Sequence, residues 1–244
     1  MIHFRSPKNG FIIFLFTTLT AFNQDSPAAA LQVPDTNYLA PIKTELRKQW
    51  PQNRTINLVF HGHSVPAGYF KTPVVNSLEA YPYQLLRLLK EKYPYAVINI
   101  IVTSIGGENS VAGEKRFSGD VLNHKPDILL IDYALNDRGP GLAASKTAWE
   151  KMIRKAVKAK IKVILLSPSP DLGVNFSDPG NELEQHRNQI AGLAKKYNTG
   201  FVDIYSEFKK IYATCNCLEE YMSQVNHPNE KGHALIAGEI LKLF

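Results

Sequence analysis

Apolar positions along this chain fall into two kinds of stretch: short, near-continuous β-branched runs, and longer segments in which apolar residues recur every three or four positions. Five runs predict strands, over residues 55–60, 97–103, 127–133, 162–167 and 201–204. The second, Val-Ile-Asn-Ile-Ile-Val-Thr, is the pattern of a strand covered on both faces. Helical spacing marks residues 42–50, ended by Pro51, and residues 77–90, which open at Ser77 and carry Leu85, Leu88 and Leu89. It recurs over residues 146–160, with Trp149, Met152, Ile153, Ala156 and Val157 on one side, and over 181–197, 206–212 and 230–243. Strand and helix alternate without an internal repeat, which predicts a doubly wound sheet with right-handed crossovers. At 244 residues the chain can bury a core without disulfide or metal staples.

Chemistry gathers where the strands end. Residues 58–68, Leu-Val-Phe-His-Gly-His-Ser-Val-Pro-Ala-Gly, run from a strand into a turn that carries Ser64. Gly106 and Gly107 follow the second strand, Asn136 follows the third, and His227 precedes the last helix. In a parallel sheet the carboxyl ends of the strands share one edge, so separated motifs converge on one crevice. A serine hydroxyl becomes a nucleophile when a base takes its proton, and histidine has the pKa for that task. Attack on an acyl carbon creates an oxyanion, which needs fixed donors. The Ser64 N–H, a glycine N–H and the Asn136 amide are of the right kind.

Gly62-His-Ser64, Gly106-Gly107, Asn136-Asp137 and His227-Pro-Asn resemble, in order and spacing, the four blocks of the SGNH hydrolase superfamily, the GDSL-like esterases and acylhydrolases. The resemblance runs from about Thr55 to the C-terminus. It implies Ser64 as nucleophile, His227 as base, and Ser64, Gly107 and Asn136 as oxyanion donors, with Gly106 as the alternate glycine. It implies a flavodoxin-like three-layer α/β/α sandwich with a mostly parallel five-stranded sheet, and no cofactor. Gly62-His-Ser64 is followed by Val65-Pro66, so the second glycine of the α/β-hydrolase elbow is missing. Two positions depart from the resembled pattern. His63 stands where an aspartate usually precedes the serine, and Gln224 stands where an aspartate usually lies three residues before the histidine. An acid there holds the imidazole tautomer and stabilises the imidazolium. Gln224 can orient His227 through its amide oxygen; a backbone carbonyl, or a carboxylate such as Glu219 or Glu220, is the alternative. Asp203 reads as a helix cap, and Arg138 as a surface arginine.

Composition narrows the partners. The formal net charge is +6, but Lys and Arg are scattered along helical faces without interleaved aromatics, which excludes a nucleic-acid footprint. Arg5 and Lys8 precede an apolar run over residues 11–22 and then Ala28-Ala29-Ala30, the layout of a secretory signal. We therefore divide the chain into a signal peptide over 1–30, a lead-in over 31–54 and a hydrolase domain over 55–244. The mature protein is expected to be secreted or periplasmic, with no stable membrane association. Cys215 and Cys217, the only cysteines, can pair in an oxidising compartment. His61-x-His63 lacks a third ligand at metal spacing, so no metal is expected. The resulting expectation is an exported esterase that removes a short acyl group, acetyl, from a carbohydrate, its substrate being a small-molecule or glycan ester. A weak or silent glycan-binding module on the same fold, and a lipid or thioester acylhydrolase, are the rivals.

Overall fold

A computed structural model of the chain describes residues 1–3 and 37–244. The expected signal segment from residue 4 onward, and the lead-in before residue 37, lie outside the described residues. Five parallel strands, β1 (Thr55–Gly62), β2 (Val97–Val102), β3 (Ile128–Asp132), β4 (Lys162–Leu166) and β5 (Gly200–Val202), form one sheet in the order β2-β1-β3-β4-β5. The described helices are α1 (Ala40–Leu46), α2 (Ser64–Ala67), α3 (Tyr81–Lys92), α4 (Ser110–Asp120), α5 (Gly141–Lys158), α6 (Glu182–Tyr197), α7 (Ile204–Cys215) and α8 (Glu230–Leu241).

The period of two in the strands sorts their side chains into two cores. Leu58, Phe60, Ile128, Leu130, Ile164 and Leu166 pack with Leu46, Leu85, Leu89, Phe208, Ile236 and Ile240 from α1, α3, α7 and α8. Val59, Leu129, Ile131, Val163 and Leu165 pack on the opposite face with Phe117, Trp149, Met152, Ile153 and Ile190 from α4, α5 and α6. The result is the three-layer sandwich expected from the sequence.

Several boundaries move. Strand β2 lies at the sheet edge and stays partly exposed along its length, so the expectation of cover on both faces is wrong for it. A β-branched run favours extended backbone at an edge as well as in a centre. Helix α3 starts at Tyr81, because residues 77–79 form a separate 3-10 turn, and α5 starts at Gly141 rather than residue 146. A short antiparallel pair, β6 (Met222–Gln224) and β7 (His227–Pro228), was not foreseen; it sets Gln224 beside His227. Among the described residues no helix is long and apolar enough to cross a membrane. Cys215 and Cys217 are joined by a disulfide.

Candidate active site

The chain leaves β1 for β2 on one side and later returns to β3 on the other. This reversal opens a crevice at the carboxyl ends of β1 and β3. Ser64 sits there as the first residue of α2, so its N–H is one the helix itself leaves without an acceptor. The buried residue His227 opens β7, and its Nε2 lies 2.9 Å from the Ser64 Oγ. Hydroxyl and imidazole are thus within hydrogen-bonding reach across 163 residues of chain.

Gly106 and Gly107 are not equivalent. A Cβ on Gly106 would come within 2.7 Å of the Tyr69 ring, so Gly106 forms a floor for that ring. Gly107 has φ +76°, a conformation that favours glycine, and open space where a Cβ would stand. Asn136 opens a 3-10 turn after β3, and its Nδ2 donates to the Glu108 carbonyl at 2.9 Å, tying the third-block residue to the second-block loop. That amide has a second hydrogen. Asp137 is buried and accepts from the Ser110 N–H at 2.8 Å and from the Trp149 indole at 2.6 Å.

At the far nitrogen of His227 the arrangement departs from expectation. His227 Nδ1 lies 2.9 Å from the Phe70 carbonyl and 2.7 Å from Gln224 Nε2. The Gln224 oxygen faces Thr72, accepting from its N–H at 3.1 Å and its hydroxyl at 3.3 Å. A backbone N–H can only donate, so this contact fixes the amide with its NH2 toward the imidazole. Gln224 therefore does not offer His227 the oxygen the sequence reading assigned it. Neither does an acid: Glu220 pairs with Lys231 at 2.9 Å, Glu219 is exposed, and among the described residues no carboxylate is bonded to His227. Two proton arrangements compete. With the proton on Nδ1 donated to Phe70, Nε2 is free to take the Ser64 proton. With Nδ1 accepting from Gln224, Nε2 carries the proton and faces Ser64 the wrong way round. Burial pushes the His227 pKa below its ordinary value, and the Phe70 carbonyl pushes it back.

The other singled-out groups are structural. His61 is buried between the Thr103 hydroxyl at 2.9 Å and the Gly113 carbonyl at 3.2 Å, and its pKa falls to about 4 through burial. His63 instead faces Asp132, so the two histidines do not converge, and the described residues contain no metal-ligand cluster. Arg138 is not a free surface arginine: it pairs with Asp171 at 2.6 Å and bonds the Leu135 carbonyl. Asp203 caps α7, accepting from Ser206, and also binds Arg187. Sequence reasoning missed Phe70, which contributes only a carbonyl, and Tyr69, whose ring centroid is 6.2 Å from that of His227. Val74, Val75, Ile105 and Val225 are also exposed, on the chain segments next to Phe70, Gly106 and His227.

Comparison with known proteins agrees with this architecture. The model of the GDSL-like lipase/acylhydrolase family matches residues 60–235. An acetylxylan esterase from Geobacillus stearothermophilus is 26% identical over 167 residues, covering 64% of this chain and 76% of that protein. The crystal structure of an acetylxylan esterase from Geobacillus stearothermophilus superposes with a TM-score of 0.67 at 21% identity, over 77% of this chain and 93% of the other. A two-domain esterase active on acetylated mannans gives a TM-score of 0.71 at 22% identity over 86% of this chain, which spans about half (53%) of that protein. A serine-bearing turn at the switch point, the order of the four blocks and the matched span lead to one conclusion: this chain belongs to the GDSL-like lipase/acylhydrolase family and is a serine ester hydrolase of the SGNH type.

Proposed function

We propose that the chain is an exported acetyl esterase acting on acetylated carbohydrate, with Ser64 as nucleophile and His227 as base. The observation that carries this reading is the 2.9 Å approach of His227 Nε2 to the Ser64 Oγ at the sheet's switch point. In the proposed cycle His227 takes the hydroxyl proton as Ser64 Oγ bonds to the ester carbon. The oxyanion that forms is received by the N–H groups of Ser64 and Gly107 and by the Asn136 amide. Collapse breaks the bond to the sugar oxygen, which leaves with the proton from His227. Water then repeats the sequence on the acetyl-serine, releasing acetate. The Phe70 carbonyl supports the imidazolium at Nδ1 in place of a side-chain acid.

Carbohydrate is favoured because the relatives are esterases of acetylated xylan and mannan, and because Tyr69 offers an aromatic face beside His227. Export is favoured by the N-terminal pattern of residues 1–30 and by the Cys215–Cys217 disulfide, which suits an oxidising compartment.

The test is chemical labelling. A fluorophosphonate should modify Ser64 in the purified protein, with the site read by mass spectrometry, and Ser64→Ala should neither label nor hydrolyse esters. Activity on p-nitrophenyl esters should fall as the acyl chain lengthens from acetyl, and acetylated xylo- or manno-oligosaccharides should release acetate. A preference for long acyl chains would move the substrate to lipid.

A further inference from the structure

The residue before the nucleophile is a fully buried histidine that the mechanism above does not use. His63 is the N-cap of α2: its Nδ1 accepts from the Val65 N–H at 3.2 Å, closing the turn that begins at Ser64. Its Nε2 lies 3.3 Å from Asp132 Oδ1. Asp132 is the last residue of β3, is 3% exposed, and sits in register beside Gly62. Its other oxygen accepts from the buried Tyr81 hydroxyl at 3.0 Å, while its backbone carbonyl accepts from the His63 N–H at 3.2 Å. This geometry settles the proton count. A ring nitrogen that accepts from an N–H carries no proton, so the single imidazole proton is on Nε2, the nitrogen that lies 3.3 Å from the carboxylate; neither that nitrogen nor Asp132 Oδ1 has another hydrogen-bond partner. Hydrogen bonds thus join Tyr81 to Asp132 and His63 to the Ser64 turn, and the 3.3 Å approach of His63 Nε2 to Asp132 Oδ1 brings the two pairs together.

We propose that Asp132 and His63 are a positioning pair for the nucleophile: Asp132 holds His63 in its Nε2–H tautomer, and the bare Nδ1 fixes the turn that aims the Ser64 hydroxyl at His227 and leaves the Ser64 N–H for the oxyanion. The pair explains how this chain accommodates histidine where the resembled pattern has aspartate, because the acid has moved to the neighbouring strand. An aspartate at position 63 could still cap α2. It would also set a second buried carboxylate against Asp132, and two like charges in one dry site cannot both ionise without displacing something. This inference rests on Ser64 being the nucleophile.

Two measurements test it. Nitrogen-15 NMR of the imidazoles in the wild-type protein should show His63 Nδ1 unprotonated and Nε2 protonated at neutral pH; a proton on Nδ1 overturns the proposal. This readout needs neither turnover nor a variant, so it stands even if Ser64 fails to label with a fluorophosphonate, a result that would count against the esterase reading instead. In kinetics on p-nitrophenyl acetate, His63→Asp should lower kcat roughly a hundredfold with KM changed by less than about threefold, as expected for a misaimed nucleophile. Adding Asp132→Asn to His63→Asp should recover at least about tenfold of that loss, because the Asn amide can donate where two carboxylates had faced each other. Full activity in His63→Asp, or no gain in the double variant while both melt near the wild-type temperature, overturns the pair. If His63→Asp does not fold, the tautomer measurement decides.

Discussion

His227 works between a backbone carbonyl and an amide NH2, and the second of these competes with catalysis. In the proposed mechanism a proton on Nδ1 is favoured by the Phe70 carbonyl and opposed by the Gln224 NH2. Gln224→Asp replaces the opposing donor with an acceptor, and turnover on p-nitrophenyl acetate should rise at least about tenfold, within the roughly ten-thousandfold that an acid partner supplies in a serine protease. The same substitution should change the pH profile. With the wild-type His227 pKa below 6.5, the base stays neutral into mildly acidic solution, and the acid limb of kcat/KM should lie below pH 6.5. A carboxylate at 224 favours the charged ring and should move that limb upward. An unchanged profile would show that residue 224 does not sense the imidazole. At Asn136, where one amide hydrogen serves Glu108 and the second is available, Asn136→Ala should lower kcat roughly a hundredfold or more.

Between elements, Asp137 is the joint of the site. Its carboxylate binds the first N–H of α4 and the Trp149 indole of α5, so the turn that holds Asn136 is tied to two helices of one layer. Burial raises the Asp137 pKa, and Trp149 works against that shift. Trp149→Phe keeps most of the packing but leaves a buried carboxylate oxygen without its donor, which should cost about 1–3 kcal/mol in urea unfolding. At this scale the sequence was legible in kind and less so in extent. The runs in β1, β3 and β4 marked true central strands, because both faces had to be apolar. The run in β2 looked the same and turned out to be an edge strand, since strand order is not written in a strand's own residues. The hairpin of β6 and β7 escaped notice because its pairing covers only a few polar residues.

For the whole molecule, buried histidines shape the response to acid, His61 and His233 most strongly. Burial lowers His61 to about 4 and His233, stacked near Phe70 and Tyr81, to about 3. In the unfolded chain both titrate near 6.5, so below that pH the unfolded state binds protons the folded state refuses. Stability should be full above about pH 6.5 and decline as pH falls toward 4, with roughly 3 kcal/mol of the loss from His61 alone. Urea midpoints measured at pH 7, 5.5 and 4.5 check this, and equal midpoints at pH 7 and 4.5 would refute it.

The sequence by itself determined the layered sheet and which residues reach its carboxyl edge, because side-chain periodicity and the order of strand-ending motifs are local properties of the chain. Only the tertiary structure decided what stands at the back of the His227 imidazole and of the Ser64 turn. The Phe70 carbonyl is chemically identical to every other backbone carbonyl and leaves no mark in a residue string. The Asp132 carboxylate meets His63 because two distant strands lie in register, a pairing set by how the sheet is wound and not by either residue's neighbours.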